Sequence, residues 1–252
     1  MKKTDIMVAV RSHDGKIPGE LAYLLKRMET LSCDPTYQRR FHPLIIAKVR
    51  PAWYASNIAV GDCLSNDYDW LWFMDADIKP PLNWERIFDM DGDIVAGPCL
   101  GQVGSDMEDL AVALLAYRRG DNGFTSLTAA AVGEEIDAAG LGCLLIRRSV
   151  FEDMAMRLPG EYAEVYRNGP PKNCGAKEKG LPYAPPYFRV QYAPNGRELY
   201  TDDVDFCWRA KIAGFRIVLA NTGVWNQTAT LGLLEVARFG ERCAAKVAAV
   251  EV

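Results

Sequence analysis

The sequence predicts an α/β fold with a Rossmann-like, mostly parallel central sheet flanked by helices. Three observations predict it. The first hundred residues alternate short apolar runs with helical patterns. The run Trp70-Leu71-Trp72-Phe73-Met74 is apolar at every position, as a strand covered on both faces must be. Near the other end, a helical pattern from Asp202 stops at Gly214 and gives way to one more apolar run. With 252 residues, 49% hydrophobic and 25% charged, the chain can bury a large core as one domain. The expected division is residues 1–100 as the half ending in the acidic triplet described below, and residues 101–252 as a second half with a long loop and a C-terminal helix.

The elements follow in order. Ile6 to Val10 is a buried strand ending in the polar turn Arg11-Ser12-His13-Asp14-Gly15-Lys16. A helix covers Gly19 to Leu31, and Pro43 to Ala47 is the second strand. A second helix runs from about Ala52 to Leu64, with Trp53, Asn57, Val60 and Leu64 on one stripe. Trp70 to Met74 is the central strand. A helix is expected around Asn83 to Asp89 and a strand at Asp93 to Ala96. Strand patterns follow at Ala111 to Tyr117, Thr125 to Val132 and Cys143 to Arg147. Residues 159–200 hold seven of the 14 prolines and five glycines, and many tyrosines, which reads as a long ordered loop. A helix over Asp202 to Ala213, a strand over Phe215 to Ala220 and a helix over Leu231 to Ala249 complete the chain.

Composition excludes several classes of function. A net charge of -4 and a pI near 5.4 argue against binding nucleic acid by general electrostatics. No apolar run approaches the ~18 residues of a membrane span. The seven cysteines are scattered without a CxxC pair and there are two histidines, so neither a zinc site nor a disulfide framework is expected. The thiols read as small core hydrophobes in a reducing, cytoplasmic setting. Oligomeric state leaves no mark on the sequence.

Chemistry concentrates in three places. Asp75-Ala76-Asp77 directly follows the apolar strand. At period two both carboxylates point to the same side, at the C-terminal edge where open α/β sheets bind ligands. Two converging carboxylates repel unless a cation compensates them, and hard oxygen ligands suit Mn²⁺ or Mg²⁺. Such a cation would neutralise a leaving diphosphate. The bland reading is a solvated acidic turn. The second place is Thr201-Asp202-Asp203-Val204-Asp205-Phe206, where acids are also favoured by the start of a helix. Asp203 lies on the apolar stripe with Phe206 and Ala210, so it points inward as a candidate general base or as an internal cap. Asp205 instead faces Arg209 at i,i+4, as a surface pair would. Third, Gly140 and Gly142 precede an apolar strand, giving either close backbone approach to a ligand or an ordinary turn.

These segments together resemble the GT-A glycosyltransferases, in particular the family-2-like members of bacteria and phages. The matching pieces run in the family's order: VAVRSHDGK, PAWYASNIAV, LWFMDADIKPP, DAAGLGCLLIRRSVF and TDDVDFCWRAKIAGFRIVLA. The resemblance covers nearly the whole chain. It implies a metal-dependent transfer of sugar from a UDP- or GDP-linked donor to an acceptor hydroxyl. The donor would be cradled by Arg11, Ser12, His13 and Asp14, near Arg50, and beside Asn57, Ala76, Gly140 and Gly142. It implies that Asp77 binds the metal while Asp75 contacts ribose or a metal-bound water. Asp203 takes the place of the family's acid/base and Asp202 the place of the preceding Glu. The family's further histidine ligand has no counterpart here, where the segment reads Gly223-Val224-Trp225-Asn226-Gln227, and Asn226 is the substitute oxygen ligand.

Rival readings are a catalytically silent nucleotide-sugar-binding protein, a haloacid-dehalogenase-type phosphatase and a nucleotidyltransferase. The phosphatase usually carries DxD on its first strand, whereas two strands precede it here. The nucleotidyltransferase lacks its Gly-rich, Arg-containing N-terminal loop. The acceptor is a glycan or a modified DNA base, and the tyrosines of residues 159–200 offer stacking surfaces for either.

Overall fold

Apolar runs separated by amphipathic and apolar helices wind into the expected sheet. The computed structural model describes residues 3–103, 111–121, 123–128, 131–157, 187–192 and 198–227. In chain order the early elements are β1 (Thr4–Ser12), α1 (Gly19–Cys33), β2 (Arg39–Ala47), α2 (Ala52–Ser65), β3 (Trp70–Asp75) and β4 (Ile78–Lys79). A 3₁₀ helix (Trp84–Asp89) leads to β5 (Ile94–Ala96), β6 (Cys99–Val103), β7 (Ala111–Leu114), β8 (Ala116–Gly120) and β9 (Gly123–Ser126). Next come β10 (Glu135–Ile136), β11 (Ala138–Ala139), β12 (Cys143–Arg147) and α3 (Arg148–Arg157). The last are β13 (Gln191–Tyr192), β14 (Glu198–Tyr200), α4 (Asp202–Ile212), β15 (Ile217–Leu219) and β16 (Trp225–Gln227).

Seven strands form the central sheet in the order β10-β15-β5-β12-β3-β1-β2. β1 pairs in parallel with β2 and β3, and β15 in parallel with β5. β12 runs antiparallel between β3 and β5, and β10 is antiparallel at the edge. Five strands therefore share one direction and two oppose it. A four-stranded sheet, β4-β16-β6-β7, and a three-stranded one, β11-β8-β9, lie beyond.

The two faces of the sheet separate by strand periodicity. Met7, Ala9, Leu71 and Phe73 join Tyr54, Ile58, Phe151, Phe188 and Phe206 in one core cluster. Ile6, Val8, Val10, Trp72 and Met74 pack with Leu21, Leu24, Met28, Trp84 and Ile87 in the other. The apolar run of β3 is thus covered on both faces as expected, with Leu71 to Met74 each 0% exposed. Among the described residues no helix is long and apolar enough to cross a membrane.

Several expectations need correction. Helix α2 is buried nearly all round, including Tyr54, Ala55, Ser56, Ile58 and Ala59, while Trp53 and Leu64 of the expected stripe are only half-buried. A helix apolar on all sides has no stripe to read. The stretch Ala111 to Tyr117 splits into β7 and β8, and among the described residues of Thr125 to Val132 only the start is extended, in β9. Of the loop expected over residues 159–200, 159–186 and 193–197 lie outside the described residues, and the described parts hold the antiparallel β13–β14 pair and the buried Tyr187 and Phe188. The helix expected over Leu231 to Ala249 lies outside the described residues. Helix α4 does end before Gly214, whose φ of +90° is a conformation glycine adopts without strain. Cys63, Cys99, Cys143 and Cys207 are buried core thiols, and Cys33 is exposed.

Candidate functional site

Parallel pairing sets Arg11 at the end of β1 beside Asp75 at the end of β3. Register partners in a parallel pair project to the same side, so the two side chains meet. Arg11 Nε and Nη2 both donate to Asp75 Oδ1, at 2.9 and 2.5 Å, and Nη1 donates to Ser56 Oγ at 3.0 Å. Burial draws the guanidinium pKa down, but the charge and hydrogen bonds of Asp75, with Asp202 and Asp203, hold it above its ordinary value. Among the described residues the cationic partner of Asp75 is Arg11.

The chain leaves the sheet directly after Asp75. Its N–H donates to Gly142 O, and Ala76 N–H donates to Arg11 O, which turns the backbone back towards β4. Asp75, Ala76 and Asp77 line one cavity of about 570 Å³ together with Arg11, Ser12, His13, Asp14, Lys16, Ile17 and Pro18. That volume is within the roughly 300–1,000 Å³ of small-molecule sites. Period two does not extend through the turn at 76–77, yet both carboxylates border the same space. Burial first, and then the negative charge of Asp75, raise the Asp77 carboxyl above its ordinary value, while His13 and Arg11 oppose the rise.

The turn after β1 is built from its own polar side chains. Ser12 Oγ donates to Lys16 O at 2.8 Å and accepts from Gly15 N–H at 3.0 Å. Asp14 Oδ1 accepts from Lys16 N–H at 2.9 Å, the main cause holding this exposed carboxyl below its ordinary value. Ser12 and Asp14 thus shape the rim of the cavity, and His13 and Lys16 stand exposed on it.

The second acidic pair opens α4. Asp203 Oδ1 accepts from Thr201 Oγ1 and from Val204 N–H at 2.8 Å. Its Oδ2 lies 3.5 Å from where a Cβ on Gly140 would stand. Asp202 differs. Its Oδ2 is buried without a hydrogen-bond partner, and burial first, then the charge of Asp203, push its carboxyl up to about 6. Arg11 opposes that rise and Asp75 adds to it, so α4 and the strand ends share one electrostatic environment.

Other sequence-predicted residues take different places. Asn57 is fully buried and clamps Phe188, its Nδ2 donating to Phe188 O at 2.9 Å and its Oδ1 accepting from Phe188 N–H at 3.0 Å. It serves the core, because both ends of its amide are used by one backbone segment. A Cβ on Gly142 would meet Ile78 Cδ1 at 2.9 Å, and one on Gly140 would meet Leu115 Cβ at 3.2 Å. Both glycines admit close neighbouring side chains, and Gly140 also lies beside Asp203. Arg50 is exposed and is not in the cavity wall, although the adjacent Val49 and Ala52 line a narrow pocket with Arg11, Ser12, His13 and Asp75. Asp205 and Arg209 pair at i,i+4, but in the interior, with 1% and 4% side-chain exposure, not on the surface. Asn226 lies in β16 opposite Lys79, two residues beyond Asp77. Sequence reasoning missed Ser56, whose neighbour Asn57 drew attention instead, and Ile17 and Pro18, which carry no motif; Lys16 reads in the sequence as part of the turn but not as a site residue.

No protein-family description matches the chain, and no curated protein matches it. Solved structures that it resembles include the A197 protein from STIV, at 16% identity and a TM-score of 0.43 over 87% of this chain and 81% of that one. GalNAc-T7 with UDP, GalNAc and Mn²⁺ is similar at 10% identity and a TM-score of 0.42, over 90% of this chain and 44% of that one. A glycosyltransferase involved in glycosylating the major capsid of PBCV-1 is similar at 9% identity and 0.29, over 95% and 98%.

Proposed function

We propose that the cavity at the ends of β1 and β3 holds the diphosphate of a UDP- or GDP-linked sugar, and that the chain transfers the sugar to an acceptor hydroxyl. One observation carries the proposal. Asp75 and Asp77 border a single cavity at the C-terminal edge of a parallel strand pair, with Arg11 in contact and the acidic start of α4 in the same electrostatic environment. A divalent Mn²⁺ or Mg²⁺ fits this donor set as a two-carboxylate site. Burial first, and then the charge of Asp75, penalise the ionised Asp77 carboxylate, a penalty that a cation relieves, and both Arg11 bonds fall on one oxygen of Asp75. Asp77 and Asp75 would hold the ion, with Asn226 on the adjacent β16 as a further oxygen donor. When bound, the ion neutralises the leaving diphosphate.

The chain's own groups do the rest. The turn Ser12–Lys16, with exposed Lys16 and His13, borders the space for the nucleotide. Arg11 keeps Asp75 oriented and places positive charge beside the diphosphate. The carboxylates at the start of α4 supply the proton acceptor for the incoming hydroxyl, of a glycan or of a modified DNA base. A second reading, a nucleotide-sugar-binding protein without turnover, is favoured by one observation: the segment Gly223-Val224-Trp225-Asn226-Gln227 offers an amide where the resembled family has a histidine ligand.

Thermal shift with UDP-glucose, UDP-N-acetylglucosamine and GDP-mannose, with and without Mn²⁺, tests both. A donor at a hundred times its Kd stabilises the fold by about 2.7 kcal/mol, and Asp77→Ala is expected to remove the Mn²⁺-dependent part of that gain. Retention of the full gain in Asp77→Ala places the site elsewhere. Binding with no release of free sugar favours the silent reading.

A further inference from the structure

The two aspartates that open α4 are neighbours in sequence but not in circumstance, and the difference assigns their roles. Asp203 has Oδ1 engaged by Thr201 Oγ1 and Val204 N–H, bonds that the first turn of the helix supplies from its own residues. Asp202 has a buried Oδ2 with no hydrogen-bond partner. A buried oxygen left without a partner costs stability, and such a position is retained where the missing partner arrives with a ligand. We propose that Asp202 Oδ2, not Asp203, takes the proton from the acceptor hydroxyl, and that Asp203 positions the start of α4. The assignment rests on the transferase reading above.

The surroundings suit that step. Asp203 on the same helix, Asp75 on β3 and Arg11 on β1 are the charged groups that act on Asp202. The two carboxylates disfavour its ionised form and Arg11 favours it. The balance leaves the carboxyl at about 6, within reach of the operating pH of a proton acceptor. Each carboxyl has a backbone N–H acting on it, and what sets Asp202 apart is that its unpartnered Oδ2 is buried. In the step itself the acceptor O–H bond breaks and its proton passes to Asp202 Oδ2. The acceptor oxygen forms the bond to the anomeric carbon as the bond from that carbon to the diphosphate oxygen breaks. The diphosphate leaves with the electron pair, and Asp202 later returns the proton to solvent.

The experiment uses the full chain with Mn²⁺ and the same three nucleotide sugars, with water as acceptor, and follows release of UDP or GDP against pH. The wild-type rate is expected to fall as pH drops through about 6, the value to which the Asp202 carboxyl is raised. Asp202→Asn is expected to lose roughly 10²- to 10⁴-fold in kcat, with donor KM little changed and the acid limb gone. Asp203→Asn is expected to keep the limb. The reverse pattern overturns the assignment, as does wild-type turnover in Asp202→Asn. Carbon-13 spectra of aspartate-labelled protein give a readout independent of turnover: the carboxyl signal missing in Asp202→Asn should titrate near 6 in the wild type, and a midpoint near 4 overturns the proposal. Failure of every donor to shift the melting temperature sinks the transferase reading itself, whereas donor binding with an unaltered Asp202→Asn profile sinks only the role of Asp202.

Discussion

Two arginine–aspartate pairs in this protein look alike on paper and do opposite work. Arg209 and Asp205 are 4% and 1% exposed, and Asp205 also accepts from Arg189 Nε at 3.3 Å and Gln191 Nε2 at 2.5 Å. Arg209 in turn donates to Tyr187 O, so the pair sews residues 187–191 onto α4. Arg11 and Asp75 are 13% and 26% exposed and border a cavity, with both bonds converging on one carboxylate oxygen. The first pair is saturated by protein and the second is not. A fully satisfied ion pair holds structure, and one with capacity to spare at a cavity wall is available to a ligand.

The sharpest way to break the comparison is to make one substitution in both pairs. Arg209→Ala leaves Asp205 buried without its main counter-charge and is expected to cost about 3–5 kcal/mol in urea unfolding. Arg11→Ala is expected to cost at most about 2 kcal/mol, while abolishing the donor-induced thermal shift. Equal losses of stability would erase the distinction.

A smaller effect of opposite sign is expected at Asp202. Its folded carboxyl is raised from 3.8 to about 6, so between those values the folded state holds more protons than the unfolded one. Stability therefore falls as pH rises through that window. Asp202→Asn is expected to be more stable than the wild type at pH 8 by up to about 3 kcal/mol, with the advantage vanishing towards pH 4. Guanidinium unfolding at the two pH values checks this. A gain in stability with a loss of turnover is the pattern of a strained functional group.

The smallest of the three concerns Asn57. Its removal in Asn57→Ala strands the Phe188 amide and carbonyl and is expected to cost about 1–3 kcal/mol. Donor-induced stabilisation should be unchanged, and its loss would return Asn57 to the binding site.

Local pattern made some of this legible and left the rest hidden. The β3 run announced a doubly covered strand because every position is apolar, and the strand duly carries Asp75 to the sheet edge. The i,i+4 spacing announced the Asp205–Arg209 pair but not its burial, because spacing specifies partners on a helix and not what lies over them. Residues 187–191, which cover it, come from the proline-rich stretch 159–200, where no periodicity marks them as a partner of the helix. The insertion of β12 against the direction of β3 and β5 was equally hidden, since an apolar strand reads the same in either direction. Asn57 announced polarity on a helix and nothing about a partner 131 residues away.

Beneath the site, Trp72 of β3 stacks on Trp84 of the 3₁₀ helix with ring centroids 5.7 Å apart, and meets Trp225 of β16 edge-on, also at 5.7 Å. The three indoles come from the strand that ends in Asp75, the 3₁₀ helix that follows β4 and the strand that pairs with β4. Fixed aromatic rings at such spacing couple their electronic transitions. The protein therefore carries a native optical gauge at the foundation of its cavity: near-ultraviolet circular dichroism reads whether these three elements remain in mutual register, with no label attached.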